Sequence, residues 1–158
     1  MKNSENTMSL NKVETKKMVE KLNVLLANYQ VFYQNLRGFH WNISGPSFFE
    51  LHAKFEELYT NANLAVDKIA ERILTLEGHP LHTFSDYLDL SSVKPAKDLK
   101  TAKDTVGTTI SNMKTLIELE REILDLAGEA NDEGTDALMS DYIRAQEKTV
   151  WMLRAYNS

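Results

Sequence analysis

The sequence predicts an all-α protein built as a four-helix bundle, and three observations support this prediction. Only six glycines and three prolines occur among 158 residues, and they divide the chain into long uninterrupted segments. Within these segments apolar residues recur at steps of three and four, which is the spacing of one helix face. With 42% apolar residues the chain has the length and composition of a single domain with one core.

The first two predicted helices form a hairpin. The first carries its apolar stripe on Val19, Leu22, Leu26, Tyr29, Tyr33, Leu36 and His40. Gly38 and the run Asn42-Ile-Ser-Gly-Pro46 are expected to interrupt this helix. The second helix is predicted from about Ser47 to Glu77, and Gly78-His-Pro80 is a strong stop signal after it.

A long connection separates this hairpin from the last two helices. Within residues 81–97, Phe84–Leu88 is predicted to be a short extra helix, and Pro95 is expected to set up the third long helix. The third helix runs from about Asp98 to Ala127. The last runs from about Thr135 to Tyr156, with its stripe on Leu138, Tyr142, Ala145, Thr149 and Met152. Two hairpins joined by one long crossover predict a bundle of the ferritin-like kind.

Charge and composition exclude several classes of protein. The net charge of −5 has the wrong sign for a protein that binds nucleic acid with its whole surface. The absence of cysteine removes disulfides and thiolate metal sites, and leaves His, Asp and Glu as metal ligands. The chain lacks the patterns of a signal peptide and of a membrane span, so we expect a cytoplasmic protein. The prediction is one domain over residues 1–158, with a short flexible amino-terminal segment of about residues 1–9.

Four side chains carry the candidate chemistry, because the bundle alone does not define a function. His52, Asp67 and Glu71 lie on the second helix and project to the same side, and His40 ends the first helix. His52 and Asp67 are about 22 Å apart along a helix, so one chain does not hold one metal ion between them.

A second copy of the chain closes the site. If two copies of the second helix pack antiparallel about a two-fold axis near Tyr59 to Asn61, the histidine end of one meets the acidic end of the other. Mixed imidazole and carboxylate ligands suit Fe(II), Mn(II) or Zn(II), and Glu56 is a further candidate ligand. Spacing alone also allows a simpler interpretation, in which these groups are solvated or lie at the rim of the core.

The motifs of the chain resemble those of the Dps family, the DNA-binding proteins from starved cells, also called miniferritins. The matching segments, in chain order, are Phe39-His-Trp-Asn42, Gly45-Pro-x-Phe-Phe-x-Leu-His52, Phe55-Glu-Glu-Leu-Tyr59, Val66-Asp-x-Ile-Ala-Glu-Arg72 and Gly78-His-Pro80. The resemblance covers nearly the whole chain, and its motifs are ordered and correctly spaced.

The resemblance implies a ferroxidase, an enzyme that oxidises Fe(II) to Fe(III). It implies a dinuclear site for two iron ions at a two-fold interface, with His40 and His52 from one subunit and Asp67 and Glu71 from its neighbour. It further implies a hollow homododecamer with tetrahedral symmetry that stores ferric mineral, with hydrogen peroxide preferred over O2 as oxidant. Zn(II) and Mn(II) are possible competitors, and Trp41 is a candidate electron donor or a packing aromatic.

An acidic stretch falls where the family has its three-fold pores. It contains Glu129, Asp132, Glu133 and Asp136. Acidic groups that line a pore concentrate Fe(II). The alternative is that these residues cap the last helix and complement its dipole.

Two other functions stay open at this point. One is a DNA-binding or DNA-compacting shell, for which the chain offers little beyond Lys2, Lys12, Lys16 and Lys17 near its start. Glu5 and Glu14 reduce the charge of that segment, so DNA binding is doubtful. The other is a structural or adhesion protein that has kept the bundle and lost the chemistry, which the intact His40, His52, Asp67 and Glu71 argue against.

Overall fold

The computed structural model describes residues 4–158, and this part of the chain is all-helical with no β-strand. The helices are α1 (Lys12–Asn42), α2 (Phe48–Thr75), α3 (Phe84–Leu90), α4 (Ala102–Ala130) and α5 (Glu133–Tyr156). The predicted architecture is confirmed, with the short α3 in the long crossover between α2 and α4. No helix among the described residues is long and apolar enough to cross a membrane.

Two predicted boundaries are wrong. Gly38 lies inside α1 and does not interrupt it, so the helix continues to Asn42. α4 starts at Ala102 rather than near Asp98, because Thr101 is its N-cap and accepts a hydrogen bond from the backbone N–H of Asp104. Asp98 has a φ of 61°, outside the helical range, and Pro95 belongs to the crossover.

The described part of the amino-terminal segment folds back beside the first hairpin. The backbone N–H of Thr7 donates to the Glu77 carboxylate over 2.9 Å. Hydrogen bonding by the Thr7 side chain, and then by its backbone, lowers the pKa of Glu77. Asn11 caps α1 by accepting from the N–H groups of Val13 and Glu14. The predicted flexibility of residues 1–9 concerns motion and stays a prediction, and residues 1–3, with Lys2, lie outside the described residues.

Three asparagines of α1 hold the crossover against the bundle. Asn28 is fully buried, and its side-chain oxygen accepts bonds from the backbone N–H groups of Ser92 and Val93. Asn35 bonds the N–H of Ala96 and the carbonyl of Lys94. Asn23 bonds Leu81 and His79 in the same way. These bonds satisfy the backbone of an irregular segment that would otherwise depend on water.

α5 presents a different face to the core from the predicted one. Its buried residues are Thr135, Met139, Ile143, Gln146 and Leu153, whereas the predicted stripe lies one position earlier. A step of one residue rotates a helix by about 100°. The apolar pattern of α5 predicted the wrong face because the polar Gln146 lies among the apolar residues of the buried face, which gives that face the pattern of an exposed one.

Candidate metal centre

His40 and His52 lie side by side at the end of the first hairpin. His40 is in the last turn of α1 and His52 is one turn into α2, so the short loop between the helices brings them together. Their rings stack with centroids 3.8 Å apart and planes inclined by 16°. Phe48 stacks on the other side of His52, and Tyr59 meets His40 edge-on. Both imidazoles are half-buried, so one side of the pair still faces solvent.

A reciprocal pair of hydrogen bonds orients the two rings. Nδ1 of His40 lies 2.7 Å from the backbone oxygen of His52, and Nδ1 of His52 lies 2.7 Å from the backbone oxygen of His40. Because a carbonyl oxygen only accepts, Nδ1 carries the proton in both rings. In the neutral imidazoles Nε2 is then unprotonated and has a free lone pair. A metal-binding histidine coordinates the metal through such a nitrogen while its other ring nitrogen donates a hydrogen bond.

The predicted carboxylates lie at the opposite end of α2. Asp67 and Glu71 are exposed and one turn apart, and within residues 4–158 neither carboxylate has a hydrogen-bond or ion-pair partner. Glu56 is also exposed, one turn after His52. The described chain contains no group of three His, Asp or Glu side chains able to hold one metal ion. The structure therefore brings His40 and His52 together and leaves Asp67 and Glu71 apart from them.

Arg72 fixes the backbone at the acidic end of α2. Its guanidinium donates to the Asp132 carboxylate over 2.6 Å and to the Thr135 hydroxyl over 2.9 Å. Asp132 is buried and also caps α5 through the N–H of Thr135. Gly134 makes room for this pair, since a Cβ there would lie 2.7 Å from the guanidinium.

The predicted pore residues differ in exposure. Asp132 is only 3% exposed and is engaged by Arg72, which corresponds to the capping alternative of the sequence interpretation. Glu129 and Glu133 are exposed, and Asp136 is half-buried in the first turn of α5. Glu129, Glu133 and Asp136 are therefore the members whose carboxylates are available to solvent.

A cationic and aromatic cluster borders the histidine pair. The guanidinium carbon of Arg37 lies 4.8 Å from the ring centroid of Trp41, 5.5 Å from that of Tyr33 and 5.8 Å from that of Tyr59. Trp41 is 57% exposed, so its indole is accessible on one side. Arg37 was not expected from the sequence, although it lies one helical turn before Trp41.

The sequence interpretation also missed a buried polar cluster in the middle of the bundle. Glu120 of α4 is fully buried, and its Oε1 accepts from the Tyr29 hydroxyl over 2.7 Å and from the Gln146 amide over 2.8 Å. The Gln146 amide also contacts the Tyr29 hydroxyl. Burial is the main reason that the pKa of Glu120 rises to about 7. Glu120 Oε2, Gln146 Oε1 and the Tyr142 hydroxyl have no partner in the described chain.

Comparison with known proteins identifies the class of protein. The family model for the ferritin-like domain matches residues 19–158. The Dps protein of Vibrio cholerae O1, described as a member of a broad superfamily of ferritin-like diiron-carboxylate proteins, superposes with a TM-score of 0.96. It is 51% identical, and the match covers 98% of each chain. The fold and these matches define a ferritin-like protein.

Further relatives narrow this class. The DNA protection during starvation protein of Porphyromonas gingivalis is 43% identical over 88% of this chain and 87% of its own length. The Dps structure from Staphylococcus aureus is 35% identical with a TM-score of 0.87, covering 90% of this chain and 96% of that one. The chain belongs to the Dps family of ferritin-like proteins.

Proposed function

We propose that this protein is a ferroxidase and iron store, which oxidises Fe(II) at sites shared between two subunits. The observation that carries the proposal is the histidine pair, whose two free Nε2 atoms point to metal binding while residues 4–158 of the same chain supply no third ligand nearby. Iron is the substrate here. Membership of a family that includes a described diiron-carboxylate protein favours iron over zinc and manganese, which remain candidate competitors.

Antiparallel packing of α2 against a second copy would complete each site. His52 lies about as far before residues 59–61 as Asp67 lies after them, and Glu71 is one turn further on, so a two-fold axis there brings the two ends together. The same helix exposes Phe49 by 83% and Leu64 by 56%. Apolar side chains of this size on an exposed helix face favour burial against another surface. Two sites then form at each interface, each with His40 and His52 from one subunit and Asp67 and Glu71 from the other.

The mixed ligand set suits the proposed chemistry. Carboxylates of Asp67 and Glu71 favour the ferric product, while neutral imidazoles of His40 and His52 keep the affinity for ferrous iron modest. Two ferrous ions oxidised together supply the two electrons that reduce one hydrogen peroxide to two waters, with two protons taken up. No hydroxyl radical is released by that stoichiometry. Glu56 is a further oxygen ligand in the proposal, and Trp41 is an auxiliary electron donor.

The proposed assembly is a hollow homododecamer with tetrahedral symmetry that keeps ferric mineral inside. The carboxylates of Glu129, Glu133 and Asp136 would attract ferrous iron toward an entry pore, and Asp132 would hold that segment in place through Arg72. Oxidation and storage of iron in one shell would protect the cell from peroxide, and we propose a cytoplasmic location.

DNA binding is the alternative function, because relatives carry the name DNA protection during starvation protein. The net charge of −5 per chain argues against it, since a negative shell repels phosphate. Retardation of plasmid DNA that weakens with salt at neutral pH would favour the alternative. Unretarded plasmid at low salt would exclude it.

Iron retention tests the proposed function directly. Ferrous iron is added anaerobically at about two ions per proposed site, peroxide follows, and size exclusion separates protein from free iron. We expect iron to travel with a large particle in the wild type. A His52→Ala, Asp67→Ala variant should oxidise ferrous iron slowly and let it precipitate.

A matched double variant controls for the loss of two charged or polar side chains. His82 and Asp89 are exposed and lie outside the site, so His82→Ala, Asp89→Ala should behave as the wild type does. Iron that precipitates as fast with the wild type as in buffer would overturn the ferroxidase proposal. A structural or binding role would then be the better explanation.

A further inference from the structure

The buried Tyr29–Glu120 pair has a geometry suited to the loss of one electron from the tyrosine. A tyrosine gives up an electron most easily when a base takes its phenolic proton at the same time. Glu120 Oε1 is 2.7 Å from the Tyr29 hydroxyl, within the range for direct proton transfer. Both side chains are buried, so water does not compete for this proton.

Within the described chain, no other tyrosine hydroxyl donates to a carboxylate. The Tyr33 hydroxyl accepts from Arg37, and that of Tyr87 donates to the backbone oxygen of Leu81. The Tyr142 hydroxyl, close to the same cluster, has no hydrogen-bond partner among residues 4–158. Tyr29 is therefore the phenol with an acceptor basic enough to hold its proton.

A series of aromatic rings connects Tyr29 with the histidine pair. His40 lies 5.3 Å from Tyr59, and Tyr59 lies 6.1 Å from Tyr33, measured between ring centroids. Tyr33 and Tyr29 are four residues apart on one face of α1, so they are neighbours along the helix. The His40–Tyr59 and Tyr59–Tyr33 steps are direct ring contacts, and the last step, from Tyr33 to Tyr29, spans about one turn of α1. The series leads from the proposed iron site into the core.

Arg37 disfavours the other candidate donor near the site. Its guanidinium lies 4.8 Å from the centre of the Trp41 ring. A fixed positive charge stabilises the neutral indole through the cation–π interaction and opposes the formation of a positively charged indole. The same guanidinium lies 5.5 Å and 5.8 Å from the ring centres of Tyr33 and Tyr59, so it also disfavours a lasting electron vacancy on those two rings. The vacancy is therefore most stable on Tyr29, which can release its proton to Glu120.

We propose that Tyr29 is a redox-active tyrosine that quenches one-electron oxidants, with Glu120 as the acceptor of its phenolic proton. The oxidant is a hydroxyl radical, formed when a single ferrous ion reduces peroxide; this source rests on the proposed function. The radical gains one electron and becomes hydroxide. Tyr29 loses that electron through Tyr33 and Tyr59, its O–H bond breaks, and the proton passes to Glu120 Oε1.

A second ferrous ion restores the pair. It supplies one electron along the same rings, the proton returns from Glu120 to the phenol, and ferric iron is the product. The net reaction converts one hydroxyl radical and one ferrous ion to hydroxide and ferric iron. Tyr29 then acts as a recyclable electron donor that limits damage to the shell.

Freeze-quench electron paramagnetic resonance tests the inference without relying on iron. Flash oxidation with ruthenium tris(bipyridine) and persulfate generates one-electron oxidant in the iron-free protein. We expect a tyrosyl radical in the wild type, its loss in Tyr29→Phe and a reduced yield in Glu120→Gln. Tyr87→Phe is the matched control, because Tyr87 is also buried but donates to a carbonyl, and it should keep the signal.

Two results would overturn the inference: a wild type without a tyrosyl radical, or a Tyr29→Phe variant with the wild-type signal. If Tyr29→Phe does not fold, the pH profile of the wild type decides. The groups that act on Glu120 are Tyr29 of α1, Gln146 and Tyr142 of α5, and the adjacent Arg121. The radical yield should rise as Glu120 ionises near pH 7, and a flat profile would contradict the inference.

An iron-and-peroxide arm on the same samples separates this inference from the proposed function. Iron retention reports on the proposed function, and the Tyr29-dependent radical reports on the inference. Iron held by the wild type with no Tyr29 radical overturns the inference alone. A Tyr29 radical after the flash in a protein that does not retain iron supports the inference and overturns the proposed function.

Discussion

The two ends of α2 differ in how much of the candidate site one chain prepares by itself. At the histidine end, His40 and His52 are stacked on each other and each is bonded to the other's backbone oxygen. At the acidic end, Arg72 anchors the helix through Asp132, but the carboxylates of Asp67 and Glu71 remain exposed and unpaired within residues 4–158. At the histidine end the ligand side chains themselves are oriented. At the acidic end the backbone is held in place, but the ligand side chains of Asp67 and Glu71 are not.

This difference fits a site that is finished only when two subunits meet. Oriented imidazoles bind metal with little loss of conformational entropy, whereas exposed carboxylates can adjust to whatever faces them. The buried Glu120 cluster lies in the core and is a third polar region with a different purpose, because its groups are closed off from solvent. Substitutions in these three regions are therefore expected to have separate effects, on iron oxidation, on stability and on the pH dependence of stability.

The largest effect is expected at the histidine end. His52→Ala should lower the rate of ferrous iron oxidation on the order of a hundredfold, since it removes a ligand and the ring that stacks on His40. Stability should change little, because His52 is half-buried. Stopped-flow absorbance measures the oxidation, with His82→Ala as control. A wild-type rate in His52→Ala would contradict the assignment of this end.

The anchor of the acidic end should be costly to break. Asp132→Ala leaves the Arg72 guanidinium without its buried partner and removes the cap of α5, so we expect a loss of about 3 kcal/mol or more in the free energy of unfolding. Urea denaturation followed by circular dichroism measures this loss. A change as small as that of an exposed residue would mean that Arg72 does not hold this end of α2.

The core cluster predicts a pH dependence with a definite sign. Glu120 has a pKa of about 7 in the folded protein, compared with 4.5 for an ordinary glutamate, so the folded state holds its proton longer than the unfolded state. Stability therefore falls as pH rises from about 4.5 to 7, by about 3 kcal/mol at roughly 1.4 kcal/mol per pKa unit.

Glu120→Gln should flatten that part of the profile, because glutamine does not titrate. Unfolding by urea at pH 5, 6, 7 and 8 measures the effect, at roughly constant protein concentration. A variant that keeps the wild-type slope would place the origin of the pH dependence elsewhere in the molecule.

The smallest effect is expected from an exposed ion pair near the histidine end. Lys54 and Glu57 are 3.0 Å apart on the surface of α2, and the Glu57 side chain is 59% exposed. Glu57→Ala should change the free energy of unfolding by less than about 0.5 kcal/mol, since exposed pairs contribute little. A loss comparable with that of Asp132→Ala would remove the distinction between surface and buried pairs.

The sequence predicts the helices and the contact between His40 and His52 better than it predicts the polar interior. Helical spacing and the stop signal Gly78-His-Pro80 predict α2 correctly. The position of His40 at the end of α1 predicts that it lies near His52, as the structure shows. The face of α5 was wrong because a buried glutamine reads as a surface residue. The burial of Gln146 becomes understandable only in the structure, where Glu120 accepts its hydrogen bond and Tyr29, distant in sequence, donates to the same carboxylate.

Some features depend on contacts that a linear pattern does not contain. Asp132 belongs to an acidic stretch in the sequence, and only the structure brings Arg72 to it from a helix sixty positions earlier. α4 begins directly after Thr101, whose side-chain hydroxyl caps the helix, and not near Pro95. The restricted φ of proline therefore does not set the start of this helix. In the proposed assembly the histidine end of one α2 contacts the acidic end of another. That contact is between two subunits, so the pattern of one chain does not contain it.

Subunit complementation tests the shared site most directly. His52→Ala subunits and Asp67→Ala subunits are each expected to be inactive, and the two are then co-refolded in equal amounts. With sites shared across a two-fold axis, each mixed interface regains one intact site, so about a quarter of the wild-type oxidation rate should return. A mixture as inactive as its two components would contradict the account, because each site would then be built from a single chain.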